Sequence, residues 1–238
     1  MSDPTGPQTP VPGAEELAAR LGRVRRRIVD AGGDLDQVAI LAVTKGFGAE
    51  AVRAAVAVGL LDVGENYAQE LLAKAAAAAS SPATAPRWHA IGRLQRNKVR
   101  QLAPVVSCWQ SVDRRALGDE IARRSPGARV LVQVNVSDEA TKGGCRPEEA
   151  SSLVVHLQAV GLIVEGLMTI GRTGSPEMTR PGFAQLRHLA DDLGLAVRSM
   201  GMSSDLEAAV AEGSTQVRIG RDLFGERPSR HGGGASQD

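Results

Sequence analysis

Lys45 closes the run Val38-Ala-Ile-Leu-Ala-Val-Thr44-Lys45, and a lysine that ends a buried strand is a nucleophilic amine placed where loss of hydration can make it reactive. The run is uncharged before the lysine and rich in aliphatic residues, as strands of a parallel sheet covered on both faces are. A helical pattern from Glu50 to Val58 follows it. Ligands collect at the carboxyl ends of strands in such layouts, so Lys45 is a candidate site residue. Its plainer alternative is a solvated lysine that merely ends a strand.

Further unusual residues fall at equivalent places. Gly64-Glu-Asn-Tyr67 follows a second apolar run, His89 and Gly92 a third, Asn135 a fifth, Met168 and Thr169 a sixth, Ser199 to Ser203 a seventh, and Arg218 to Gly220 an eighth. Random scatter would divide them between both ends of the strands, so convergence on the carboxyl ends points to a site. Two pieces suit a phosphate. Ser199-Met-Gly-Met-Ser203 precedes a helix opening with Ser204 and Glu207, the capping-box spacing, which turns free amides and the positive end of the dipole towards an anion; the second piece is Ile219-Gly220-Arg221. A capped helix and a tight turn without ligand is the alternative for each. An amine and a phosphate cradle in one protein suggest pyridoxal 5'-phosphate, whose aldehyde condenses with the amine while the phosphate is gripped.

The elements that must position these residues alternate. Strand-like runs cover Val38 to Thr44, Leu60 to Val63, Trp88 to Ile91, Val105 to Trp109, Val130 to Val136, Ile163 to Thr169, Ala196 to Met200 and Thr215 to Ile219. Helical stretches lie between or beside them at Glu50 to Val58, Tyr67 to Ala79, Asn97 to Ala103, Arg114 to Arg124, Glu148 to Val160, Phe183 to Leu193 and Asp205 to Ala211. Eight βα units in 238 residues, close to the roughly 250 typical of the barrel, predict an α/β fold with a single-domain TIM-type (β/α)8 barrel over 14–225. Residues 1–13 and 226–238, rich in Pro, Gly and polar residues, read as disordered tails. Ala73 to Pro86 reads as a helix end running into a flexible connection.

Composition removes several classes. A formal net charge of +1 gives no electrostatic drive towards nucleic acid or an anionic membrane. Arg20, Arg23, Arg25, Arg26 and Arg27 cluster, but Leu17, Leu21, Val24 and Ile28 recur among them at helical spacing, which predicts an amphipathic helix with a solvated basic face. Two cysteines, Cys108 and Cys145, without CxxC or HExxH patterns, predict neither disulfide framework nor metal site, and a reducing cytoplasm. No run approaches the ~18 apolar residues of a membrane span.

The stretches Ala42-Val-Thr-Lys45, Gly64-Glu-Asn-Tyr67, Trp88-His-Ala-Ile-Gly-Arg-Leu-Gln-Arg-Asn-Lys98, Gly166-Leu-Met168, Ser199-Met-Gly-Met-Ser203 and Arg218-Ile-Gly220, in this order, closely resemble the pyridoxal phosphate homeostasis protein family from about Leu17 to Gly225. The resemblance implies a modified barrel of the alanine racemase N-terminal-domain type, fold type III among pyridoxal phosphate proteins, that carries the cofactor without an established catalytic turnover. It further implies buffering and delivery of the cofactor, with apo pyridoxal phosphate enzymes as partners, and a role in amino-acid and keto-acid balance. Carried onto matching positions, it makes Lys45 the Schiff-base lysine, Ser203 and the Gly220 backbone the phosphate contacts, Arg218 the partner of the pyridine nitrogen and Asn66 a neighbour of the ring. Thr44 stands where Ser is also frequent, and Arg221 where a small hydroxyl residue is common, which puts one side-chain contact to the phosphate in doubt. A monomer is the expected state.

Two other readings compete. An alanine-racemase-type enzyme needs an acid/base on each face of the substrate carbon, usually a tyrosine opposite the lysine, and Tyr67 is the sole tyrosine; the racemase family also has a β-rich domain after its barrel, for which this sequence leaves about twenty residues. Gly46-Phe-Gly48-Ala-Glu-Ala51, with Glu65 near the spacing of a ribose-binding acid, matches a dinucleotide fingerprint. Lys142, beside Gly143 and Gly144, is a candidate secondary amine for the cofactor or a solvated loop lysine. Trp88 and His89 read as packing and hydrogen-bonding residues of the barrel rim.

Overall fold

The computed structural model describes residues 11–79, 85–137, 139 and 141–226. Most of both expected tails (1–10 and 227–238) and the Ser/Pro-rich part of the expected connection (80–84) lie outside the described residues. Eight strands, each hydrogen-bonded in parallel to the next in chain order and the eighth to the first, close a barrel. They are β1 (Ala39–Val43), β2 (Asp62–Glu65), β3 (Arg87–Ala90), β4 (Val106–Val112), β5 (Arg129–Gln133), β6 (Ile163–Met168), β7 (Val197–Ser199) and β8 (Gln216–Ile219). The helices are α1 (Ala14–Asp30) before the barrel, then α2 (Ala49–Ala57), α3 (Ala68–Ala78), α4 (Arg96–Leu102), α5 (Arg115–Arg124), α6 (Pro147–Ala159), α7 (Pro176–Asp192), α8 (Leu206–Ala211) and α9 (Arg221–Phe224). The predicted alternation holds.

Each helix buries an apolar face on the outside of the strands. Leu17, Leu21, Val24 and Ile28 of α1 are all buried, against Leu206, Val210, Leu223 and Phe224 of α8 and α9. Burial of such side chains contributes roughly 1.5–3 kcal/mol each before entropy is counted. The basic side of α1 departs from expectation. Arg23, Arg25 and Arg26 are exposed, but Arg20 donates to the Leu223 carbonyl at 3.2 Å and Arg27 to the Ser203 carbonyl at 3.0 Å. Two arginines therefore stitch the first helix to the loop after β7 and to α9.

Element boundaries differ in ways that have physical causes. β2 ends on Glu65, two residues later than predicted, because that carboxylate finds a buried partner and the strand can continue through it. β5 stops at Gln133, and Asn135 lies beyond it in a loop, where its amide donates to the Glu139 and Lys142 carbonyls at 3.1 and 3.3 Å. The helical pattern predicts a start at Phe183, yet α7 begins at Pro176 and carries Pro181 within it. A proline lacks one intrahelical N–H bond, and burial of Thr179, Phe183, Leu186 and Ala190 outweighs that loss.

The barrel interior is partly polar. Small clusters of Leu41, Val43 and Ile91 and of Cys108, Leu131 and Met168 flank a column of hydrogen-bonded side chains. Arg218 donates to Ser199 Oγ (3.0 Å), Ser199 to Gln110 Oε1 (2.9 Å), and Gln110 Nε2 both to Gln216 Oε1 (2.7 Å) and to His89 Nδ1 (2.8 Å). His89 Nε2 donates to Asp62 Oδ1 at 3.0 Å, since a carboxylate only accepts. His89 is thus an interior residue and not, as predicted, one of the carboxyl rim.

Candidate functional site at the carboxyl ends of the strands

Register brings the ends of β1, β2 and β8 together: Val43 pairs with Gly64 and Ala42 with Ile219. Asn66 and Gly220 follow β2 and β8 directly and Lys45 follows β1 after Thr44, so the rim gathers all three. Close approach explains the glycines. A Cβ at Gly220 would lie 3.2 Å from the Val43 carbonyl oxygen, and one at Gly92 only 2.1 Å from that of Asn66, so the backbone beside Asn66 admits no side chain.

The chain on both sides of Lys45 is held by groups from β2 and α3. Lys74 Nζ donates to the Thr44 carbonyl at 2.8 Å and to Glu65 Oε1 at 2.5 Å. Thr44 Oγ1 donates to the same carboxylate oxygen, and the Gly46 amide donates to Glu70 Oε2 at 2.8 Å. Burial pushes the Glu65 carboxyl above its usual range, against the pull of Lys74 and Thr44.

On β8, the strand paired with β1 on the side away from β2, Arg218 is buried at 5% exposure. Its guanidinium donates to the Ser199 carbonyl at 2.7 Å and the Thr169 carbonyl at 2.6 Å, the ends of β7 and β6. Burial lowers its pKa to about 10, with Asp205 acting in the other direction, so the group is cationic near neutrality. Ser203 stands in the loop after β7, its Oγ accepting from the Asp222 amide at 3.3 Å, which joins that loop to α9 after Gly220. Gly201 has φ of +95°, and a Cβ there would lie 2.5 Å from that of Ala209.

The capping box does not form. Asp205, not Ser204, is the N-cap of α8, and Glu207 turns outward to Arg27, at 2.5 and 2.8 Å. Asp205 instead accepts from the Met202 amide at 2.6 Å and closes the loop on itself. Arg221 is exposed and pairs with Glu226 at 3.2 Å, so its side chain turns away from the loops after β7 and β8 and only its backbone stays beside Gly220.

Lys142 is neither solvated nor loose. Its side chain, 15% exposed, pairs with Glu139 and donates to the Gly171 carbonyl, clipping the loop after β5 to the loop after β6. Lys74, Glu70, Arg27, Asp205 and Asp222 support the site and were missed. Each sits on a helix pattern or in a loop where a charge reads as solvated by default, and only tertiary pairing reveals it. The dinucleotide reading fails on geometry: the sheet closes, leaving no switch-point crevice, and Glu65 is buried against Lys74 and Thr44 with 0% side-chain exposure, beyond reach of a ribose. Among the described residues no three His, Cys, Asp or Glu side chains group as metal ligands, and no helix is long and apolar enough to cross a membrane.

A closed parallel barrel with a strand-end lysine and a loop–helix cradle after β7 and β8 defines a class. The chain belongs to the alanine racemase N-terminal domain family, whose pattern matches residues 15–228, and within it to the pyridoxal phosphate homeostasis proteins. It is 44% identical over 222 residues to the protein of that name from Pseudomonas aeruginosa, covering 90% of this chain and 95% of the relative. The structure of PipY from Synechococcus elongatus with pyridoxal phosphate bound superposes with a TM-score of 0.77 at 32% identity, covering 87% of this chain and 99% of that one. An alanine racemase from Clostridium difficile shares the fold, with a TM-score of 0.71 at 14% identity over 91% of this chain and 61% of the racemase.

Proposed function

We propose that this protein binds pyridoxal 5'-phosphate and serves its homeostasis, holding the cofactor covalently through Lys45. In this reading Ser203 and the Gly220 backbone hold the phosphate, Arg218 faces the pyridine nitrogen and Asn66 lies beside the ring. The residues fit the group: a primary amine at a strand end, a hydroxyl and close-approach glycines in the loops after β7 and β8, and a buried cation between them. The observation that carries the reading is Arg218, buried yet cationic, its guanidinium fixed on the Ser199 and Thr169 carbonyls.

When bound, the cofactor supplies an aldehyde that condenses reversibly with a primary amine and a ring that can act as an electron sink. Arg218 has only donors to offer, so it pairs with an unprotonated ring nitrogen and keeps it so. That weakens the sink and suits holding over turnover. Tyr67, half exposed at the start of α3, is not placed as a buried second base, which further disfavours racemisation. The setting we propose is a cytoplasmic monomer that passes the cofactor to apo-enzymes.

The visible spectrum of the protein with pyridoxal phosphate, before and after borohydride, and peptide mass analysis for wild type and Lys45→Ala test this. Label fixed on Lys45 and lost in the variant is expected; no fixed label, or label indifferent to the substitution, overturns the reading. Transfer to an apo-enzyme faster than free release supports delivery by contact, and equal rates overturn it in favour of passive buffering.

A further inference from the structure

We infer that Glu65, Lys74 and Glu70 are positioning residues for the Lys45 amine, a role that rests on the reading of Lys45 as the attachment point. Residues on both sides of Lys45 are tethered: Thr44 through its carbonyl to Lys74 and through its hydroxyl to Glu65, Gly46 through its amide to Glu70. All three tethers come from β2 and α3, and none uses the phosphate loops. Thr44 lies just past the end of β1, and Gly46 has φ of +82°, so the chain turns away immediately after the lysine. These side-chain tethers add to backbone bonds that also fix Thr44, whose amide donates to the Gly64 carbonyl at 3.2 Å and whose carbonyl accepts from the Phe47 amide at 3.1 Å.

The arrangement is not explained by stability. Lys74 and Glu65 have side-chain exposures of 5% and 0%, and a buried ion pair is commonly no more stable than apolar side chains of the same volume. Nor is the pair built to satisfy its own groups. Both donors to Glu65 converge on Oε1, while Oε2 is buried without a partner. Charge and hydrogen bonds are concentrated where Thr44 meets the lysine.

Condensation adds the Lys45 nitrogen to the aldehyde carbon, forms one C=N bond, and expels the aldehyde oxygen with two amine hydrogens as water. Positioning of the amine affects this bond and leaves the grip on phosphate untouched. The test therefore uses two ligands, pyridoxal 5'-phosphate and pyridoxine 5'-phosphate, whose alcohol cannot condense. Dissociation constants, borohydride-fixed label on Lys45 and the apo-protein Tm are measured for wild type, Lys74→Met, the double variant Glu65→Gln/Lys74→Met and Thr44→Val. The double variant leaves no buried charge unpaired, and Thr44→Val keeps the ion pair, so a poorly folded Lys74→Met does not stop the test.

The expected result is an affinity for the aldehyde weakened about tenfold, the scale of one lost hydrogen bond, less label on Lys45, and alcohol affinity within about twofold of wild type. Equal weakening of both ligands in step with Tm, or no change in either, overturns the positioning role while label on wild-type Lys45 leaves the functional reading standing. Absence of label on wild-type Lys45 overturns both.

Discussion

Arg218 shows how much one side chain is asked to do. Its fork spans the Ser199 and Thr169 carbonyls and the Ser199 hydroxyl, and a point-charge ammonium cannot reproduce that geometry. Arg218→Lys should leave at least one buried carbonyl without a donor, at about 1–3 kcal/mol. For a chain of this size that is a Tm lower by roughly 2–4 °C per kcal/mol, read by thermal unfolding of apo protein, with weaker cofactor binding read by titration. Arg218 and Lys45 were legible in the sequence because each is an unusual residue at the end of an apolar run. Lys74 and Asp205 were not, since a lysine among alanines and an aspartate before a helix are ordinary surface residues until the fold buries them.

Among the elements, α1 acts as a strap. Arg27 reaches the Ser203 carbonyl, Glu207 and Asp222, so a helix outside the barrel braces the loop after β7 against α9. Arg27→Met should loosen that loop and weaken pyridoxal 5'-phosphate and pyridoxine 5'-phosphate by the same factor, about three- to tenfold for a lost charged hydrogen-bond set of roughly 1 kcal/mol. Calorimetric titration of both ligands checks it; loss confined to the aldehyde would contradict the strap. The helix itself was readable from its apolar spacing. Its partner α9 was not, because four residues are too few for periodicity to speak, and the true N-terminus of α7 was hidden by Pro181, whose cost is one hydrogen bond and not a helix.

At the scale of the molecule, closure was foreseeable from eight alternating units, but the polar column inside was not: Gln110 falls just past a predicted strand and Gln216 within one, and nothing local to either shows that they meet across the barrel. The column ends on Asp62 at the rim opposite the site. Burial pushes that carboxyl up, yet hydrogen bonds from Arg87 and His89 hold it well below the usual carboxylate range. Its folded pKa lies below the unfolded value of about 3.9, so its stabilisation is present above that pH and drains away as pH falls below it. Thermal melts between pH 7 and pH 3 should show a smaller loss of Tm for Asp62→Asn than for wild type; parallel losses would show that the acid limb has another source. The strap also fixes an order in time. Arg27 is separated in sequence from Ser203 by 176 residues and from Asp222 by 195, so a chain emerging from the ribosome carries its lysine and its second strand long before it can brace the loop after β7. The proposed phosphate contacts come together only with the final strand and the short helix after it, so on that proposal ligand capture reports that synthesis has reached the end of the barrel.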